Sequence, residues 1–421
     1  MPETSAPPRP DLLADPRVYG EGVPHAEFAR RRRDAPVAWV QEPALRRRGG
    51  DRAAAVQRGT GFWAVTRYRT VAAASRQPEV YSSAARGAFL PDPVTPADLH
   101  RTRQLLVNMD APEHTTLRRL VASAFTPRAV RELERAIARH TAAVVDRVLG
   151  LDVFDAVTDL AAELPLLVLA DLLGMPRQDR ELLLRWSNNL VGFDDPEYGG
   201  GSVDVYQRTF VEAFGYASQL ARARRRDPGE DLVSLLVNAE LDGRRLTELE
   251  FCQTWILLVI AGNETTRHLL SGGLLALSQR PDQLARLVAD PGLVSLAVEE
   301  LARWVTPIMQ FRRTAVTDST LDGQPIAAGD KVVLYYVSAN RDSDVFAEPD
   351  GLDVGRLPNP HLAFGIGPHF CLGARLARVE AAAMLSELRP HLPRLRLTGP
   401  PIRLESNFMN GIKSLPATFA G

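Results

Sequence analysis

The sequence predicts a mainly α-helical fold with small β-sheets, built as one large domain over residues 21–421 behind a flexible arm over residues 1–20. Three observations carry this expectation. From about residue 112 to about 305 the apolar residues recur with helical spacing. Stretches rich in β-branched and aromatic residues gather only towards the two ends of the chain. No composition shift, internal repeat or low-complexity block marks a domain boundary.

Taken in order, the start, MPETSAPPRPDLL, is proline-rich and polar and lacks the charged n-region and apolar run of a secretory signal. GFWAVTRY (61–68) reads as strand. Pro127 suits the first turn of the helix carrying RAVRELERAIARHTAAVVDRVL, where its fixed φ and missing N–H cost nothing. LPLLVLADLLGM is an apolar helical segment stopped by Gly174 and Pro176. The arginine run with Pro228-Gly229 (221–233) reads as a solvated surface turn between helices. The most apolar stretch, Trp255 to Gly262, is short for a bilayer span and reads as a buried helix. Near residue 320 the period changes: LDGQPI carries an Asp-Gly turn and KVVLYYVSAN is β-rich. The following NRDSDVFAEPDGLDVGRLPNPHL is a long irregular segment of the kind that is uncommon without a function. A last helix over about 372–390 and a β-rich tail close the chain.

With 50 basic and 51 acidic residues the net charge is −1, so no global field points to nucleic acid and no acidic excess points to disorder. Only two cysteines occur, Cys252 and Cys371, too few and too far apart for a disulfide framework, which fits a reducing, cytoplasmic setting without a membrane anchor. Lysine is almost absent: Lys331 and Lys413 are the only two.

The sharpest local signal is FGIGPHFCLG, residues 364–373. Two glycines and a proline make a constrained turn whose backbone can approach a flat ligand. Cys371 stands just before a helix, where free N–H groups and the dipole favour a thiolate. A plain buried cysteine after a glycine turn is the competing reading, and it is the one adopted for Cys252 in its apolar helix. Zinc does not suit the site, since no second Cys or suitably spaced His stands nearby.

This segment resembles the haem-binding signature of the cytochrome P-450 superfamily, in which Phe, two Gly, a basic residue, Cys and Gly recur at this spacing. The resemblance implies that family's fold, with haem b between a distal helix and the cysteine loop. It implies Cys371 as proximal thiolate, His369 as a propionate partner, Phe364 as the aromatic shielding the sulfur, and Gly367 and Gly373 as close-approach positions.

Ala261-Gly262-Asn263-Glu264-Thr265-Thr266 interrupts an apolar helical run. Glycine weakens a helix, and a mid-helix threonine bonds back to the carbonyl four residues earlier. Thr265 shares a face with Ala261, so a groove holding a hydroxyl, with a carboxylate beside it, is expected. The segment resembles the family's oxygen-binding groove, which implies Thr265 as the hydroxyl facing dioxygen and Glu264 as the acid delivering protons. Asn263 stands where many bacterial members carry His.

Glu300 and Arg303 form an opposite-charge pair at i and i+3. The pair resembles the ExxR motif of the family, whose third partner is expected to be Arg356, with Arg341 the second choice. His114 and Arg118 share a helical face and resemble the His-xxx-Arg pair that binds propionates. Arg313 fits a further propionate position, with Arg312 adjacent in the same strand.

Substrate-facing segments are expected to contribute Phe89, Leu90, Leu106, Trp186, Phe193, Gly262, Ile308, Met309, Phe311, Phe408 and Met409, an apolar pocket. NETTRH, VEELARWVTP, FRRTA, PNPHLAFG and NGIKSLP are similar to actinobacterial enzymes that hydroxylate sterol side chains, methyl-branched lipids or terpenoids, and natural-product tailoring members share much of this sequence. The implied function is a monooxygenase that takes electrons from NAD(P)H through a ferredoxin reductase and a ferredoxin, inserts one atom of O2 into a C–H bond of an apolar small molecule, and docks its ferredoxin near Arg375 and Arg378. The competing readings are a peroxide-driven peroxygenase of the same fold and a non-catalytic haem- or ligand-binding protein.

Overall fold

The structure, a computed structural model, describes residues 11–49, 52–122, 125, 127–241 and 243–420. Its organising element is the helix Glu248–Ser278, 31 residues and about 46 Å long. Thr247 and Glu250 start it with a reciprocal capping box, each side chain accepting the other's backbone N–H. The helix is buried along most of its length, its apolar residues and also the polar group Asn263, Glu264, Arg267 and His268, which pair with one another or with neighbouring helices. The helices packed around it include Glu163–Leu172, Arg180–Val191, Val203–Arg226, Val294–Val305 and Ala374–Leu388. The 23-residue helix Pro127–Leu149, begun by its proline, lies against Ala374–Leu388.

One five-stranded sheet joins the two ends of the chain. Its order is Val37–Val40, Phe62–Val65, Lys331–Tyr335, Gln310–Ala315, Tyr81–Ser82. Lys331–Tyr335 runs parallel to Phe62–Val65 and antiparallel to Gln310–Ala315, placing Val332 opposite Trp63 on one side and Arg313 on the other. The Asp-Gly turn forms as its residues dictate: Asp322 and Gly323 both have positive φ, 51° and 83°, between strands Ser319–Leu321 and Gln324–Ile326. In the tail, Leu395–Leu397 and Pro416–Phe419 pair in a small sheet completed by Phe154–Asp155.

Two expectations change. The arm over residues 1–20 falls partly outside the described residues, but residues 11–20 are packed: Leu13, Ala14 and Tyr19 are buried in a core cluster with Phe28 and Tyr335. The arginines at 222–226 are not in a turn; the helix Val203–Arg226 continues through them, and the chain turns only from Asp227. Cations on a last helical turn face the negative dipole end, which favours continuing the helix. Among the described residues no helix is long and apolar enough to cross a membrane.

Candidate active site

The cysteine loop folds on its glycines. Gly365 and Gly367 have φ of 70° and 78°. A Cβ on Gly367 would stand 2.6 Å from the Ser75 carbonyl oxygen, so no other residue fits there. The Phe370 N–H donates to the Gly367 carbonyl (3.0 Å) and the Cys371 N–H to the Phe364 carbonyl (2.8 Å), which closes the loop. Cys371 then precedes the helix Ala374–Leu388, whose N-cap, Gly373, offers no side-chain cap. The Cys371 residue has accessible surface yet is enclosed by protein at longer range, the combination found in an interior crevice. Burial pushes its thiol above the ordinary value, opposed by the Gly373 N–H and the charges of Arg118 and Arg378. Cys252, by contrast, is fully buried among apolar residues.

Phe364 is held beside this thiol loop by Arg378, whose guanidinium lies 4.3 Å from the ring centroid. Arg378 is itself clamped in two parallel bonds to Glu299, 2.6 and 2.8 Å, and Glu299 also meets His361 at 3.0 Å. Although burial alone would raise it, Arg378 and His361 bring the Glu299 carboxyl down to about 2. Arg378 is therefore already paired, whereas Arg375 is exposed.

A second group of residues converges from three elements. The His114 and His369 rings lie 4.3 Å apart, Ser83 Oγ lies 3.3 Å from His369 Nε2, and Arg118 donates to the Phe370 carbonyl. Arg313 joins them: burial first, then Arg313, His114 and Arg118, press the His369 imidazole down to about 2. Strand alternation settles which arginine this is. Arg313 projects with Phe311, while Arg312 projects oppositely into an ion pair with Asp92 at 2.8 Å. His114 is 3% exposed, and its Nε2 is buried with no partner.

These features fit a haem. A thiol facing a crevice, two arginines and two histidines converging with an orphaned ring nitrogen, and an uncrowded Cβ direction at Gly373 match a flat macrocycle with an iron and two carboxylates.

In the middle of the long helix Ala261 is exposed, with Leu257, Leu258, Ile260, Gly262 and Thr265 around it partly exposed, and the Thr265 hydroxyl donates to the Ala261 carbonyl at 2.7 Å. The helix stays continuous through this back-bond. At Gly262 a Cβ would meet Leu169 Cδ1 at 3.2 Å, so glycine there admits close helix packing. Glu264 is not in the groove. It is 1% exposed and turned into the protein, accepting from Ser187 Oγ (2.9 Å), Asn263 Nδ2 (3.2 Å) and Arg267, with His268 Nε2 at 3.3 Å. One residue of helix is a rotation of about 100°, which separates its direction from that of Thr265. Arg267 continues to Asn188 Oδ1 at 2.9 Å. The Arg267 and His268 contacts were available from i,i+3 and i,i+4 spacing; Ser187, on another helix, left no such signal.

Glu300 and Arg303 are both 0% exposed and bonded twice, each at 2.8 Å. Arg356 Nε donates to Glu300 Oε2 at 3.0 Å, making Arg356 the third corner. Arg341 instead reaches Asp350 and stacks on Trp304.

Among the expected pocket residues, Phe89 and Phe408 meet Phe311 in a three-ring cluster with centroids 5.4 to 6.2 Å apart, joining the 84–107 segment, the sheet and the tail hairpin. Ile308 pairs with Met409 as an isolated bridge. Phe193 packs edge-on against Tyr206. Others belong to the core. Met309 (0% exposed), Met409 and Trp186 (1% each) have no surface even towards an internal space, and Leu90 and Leu106 are nearly as covered. Apolar identity alone does not separate pocket lining from core packing.

Comparison with known proteins agrees with this geometry. A family model described as Cytochrome P-450 matches residues 292–393. The chain is 38% identical over 97% of its length to a steroid C26-monooxygenase of Rhodococcus jostii (strain RHA1), covering 84% of that protein. It is 40% identical over 95% of its length to a methyl-branched lipid omega-hydroxylase of Mycobacterium tuberculosis (strain ATCC 25618 / H37Rv), covering 92% of it. A solved Mycobacterium marinum cytochrome P-450 in complex with pseudoionone superposes with a TM-score of 0.88 at 40% identity, over 99% of this chain and 100% of that one. The chain belongs to the cytochrome P-450 family. It is a haem-dependent monooxygenase, acting on a small molecule with O2 and electrons from redox partners.

Proposed function

We propose that the enzyme hydroxylates an unactivated C–H bond of a sterol side chain, a methyl-branched lipid or a similarly apolar terpenoid. The observation that carries the mechanism is the crevice-facing thiol of Cys371 beside the converging side chains of Arg118, Arg313, His114 and His369, two guanidinium cations and two neutral imidazoles. Substrate class is supported by the Phe89–Phe311–Phe408 cluster and by the names of the relatives, a steroid C26-monooxygenase and a methyl-branched lipid omega-hydroxylase.

Cys371 would bind the iron as thiolate, and the two arginines and two histidines would hold the propionates. Bound there, the haem supplies reductive activation of dioxygen and delivery of one oxygen atom. Phe364 and the Gly367 turn keep the sulfur enclosed, and Arg378 with Glu299 fixes Phe364. Thr265 holds a proton at Oγ1 on the crevice side, and Glu264, kept ionised in its buried network, takes up and passes on protons rather than storing one. The three phenylalanines orient the apolar substrate and exclude water. Electrons come from NAD(P)H through a reductase and an acidic ferredoxin that docks at the exposed Arg375; Arg378, clamped to Glu299, contributes packing there. The enzyme works in the cytoplasm and acts as one unit that includes the packed residues 11–20.

The test is spectroscopic. The reduced protein with carbon monoxide should give the long-wavelength Soret band of thiolate ligation, and Cys371→Ala should lose it. Titration with a side-chain-bearing steroid or a methyl-branched fatty acid should shift the ferric Soret band, and turnover with ferredoxin partners should give a terminally hydroxylated product. A haem spectrum without that band would overturn the ligand assignment. Bands that move with neither substrate would overturn the substrate class.

A further inference from the structure

We infer that this enzyme carries a second ligand site, a phosphate-binding crevice between its N-terminal segment, the end of the long helix and the tail hairpin. The crevice encloses a cavity of about 240 Å3. On the long helix its lining begins at Gly272 and ends at Gln279, about 10 to 21 Å beyond Thr265 by helix rise, and it shares no residue with the active site.

Its polar lining is cationic and under-partnered. Arg341 is 6% exposed and stacks on Trp304 at 3.9 Å; its Nε is buried with no partner. Among the described residues its one ion pair is with Asp350, a carboxylate 67% exposed to solvent. Arg403 is half-buried and makes no ion pair or side-chain hydrogen bond among the described residues. His25 presents a buried Nδ1 without a partner. Gln279 and Asn410 add amides, and no carboxylate lines the cavity. Burial holds His25 neutral, reinforced by the charges of Arg341, Arg32, Arg403 and Arg303, of which Arg341 and Arg403 line the cavity with it.

Cations held in protein without counter-charge are costly, and a bound anion offsets that cost. Two guanidinium forks facing one space suit a tetrahedral or planar oxyanion. Arg341, paired only with an exposed carboxylate, and Arg403, without an ion pair among the described residues, leave two cations to face one ligand, which suits a doubly charged phosphate over a carboxylate. The cavity exceeds the share of a few water molecules, about 30 Å3 each, so a phosphate monoester fits as well as the free ion.

The experiment titrates the haem-loaded enzyme with inorganic phosphate and, separately, glycerol phosphate, against chloride at matched ionic strength. Thermal midpoint and tryptophan fluorescence are followed, with Trp304→Phe identifying the reporting ring. Either phosphate should give a saturable rise in midpoint that chloride does not, weakened about tenfold in Arg403→Gln. Tighter binding of the ester would identify a monoester as the ligand, and equal binding the free ion. Gln279→Glu places a carboxylate at the crevice, and should abolish phosphate binding while raising the midpoint of the ligand-free enzyme. The carbon monoxide band should be unchanged in both variants. No saturable response to either phosphate, or parental phosphate binding in both variants, would overturn the site.

Discussion

Glu264 holds its charge against burial. Desolvation alone would raise its pKa, yet Arg267 and His268 outweigh it and keep the carboxyl below its ordinary value of 4.5. The unfolded chain takes up a proton near that ordinary value while the folded one stays ionised. The stabilisation is therefore complete above about pH 4.5 and is lost as pH falls through the folded value. His268 adds to the same acid sensitivity: burial keeps it neutral below its ordinary 6.5, so the unfolded chain binds that proton first. Glu264→Gln leaves Arg267 buried without its counter-ion, a change that costs about 3–5 kcal/mol. The variant should melt lower at neutral pH and show a flatter fall in midpoint below pH 4.5 than the parent. Its substrate turnover should drop by about 10²-fold or more if the residue supplies protons, with the carbon monoxide band retained. A parental turnover with a lowered midpoint would make Glu264 structural only.

At the scale of elements, the Glu300–Arg303–Arg356 group ties the helix Val294–Val305 to the irregular segment before the cysteine loop. Arg303 donates from all three of its nitrogens: to both Glu300 oxygens, to the Asn340 and Pro349 carbonyls (2.8 Å each), and to Gly351 at 3.0 Å. An ammonium has three donors and no planar fork. Arg303→Lys should therefore strand several buried carbonyls and lower both the thermal midpoint and the haem-to-protein ratio; a fully haem-loaded variant with a parental midpoint would refute that role. This network also marks the limit of what the sequence discloses. Features fixed by local spacing were legible: the turn at Asp322-Gly323, the loop around Cys371, the Ala261–Thr265 face, the Glu300–Arg303 pair. Strand alternation could also separate Arg313 from Arg312. What depended on distant segments was not legible. Ser187 reaches Glu264 across 77 residues, and nothing in NETT indicates that the carboxylate turns inward to meet it. Met309 and Met409 carry the same apolar identity whether they line a pocket or fill a core, and burial decides for the core.

Across the whole molecule, the two lysines hold the segments that flank the crevice. Lys331 bonds Glu42 (2.8 Å) and Asp92 (2.7 Å), fastening the segment that carries Phe89 to the central sheet. Lys413 bonds Asp195 (3.0 Å) and Glu197 (2.6 Å), fastening the connection between helices Arg180–Val191 and Val203–Arg226 to the tail hairpin. Asp195 is fully buried, and its other oxygen accepts the Glu405 N–H at 3.0 Å. Burial alone would lower the Lys413 pKa, but Glu197 and Asp195 raise it above 10.5, so the amine is protonated as well as enclosed. Both conditions suppress reaction with acylating reagents. With only two lysines in the chain, peptide mass spectrometry can read each latch separately. Asp195→Asn removes a charge-assisted bond worth about 1.5–3 kcal/mol, which corresponds to at least about tenfold faster labelling of Lys413. Lys331, held at 4% exposure by a different pair of carboxylates, should keep its parental rate. A bound substrate that needs both segments closed should slow both lysines in the parent. Equal acceleration of the two in Asp195→Asn would mean global loosening, and an unchanged Lys413 would mean that this ion pair does not hold the connection.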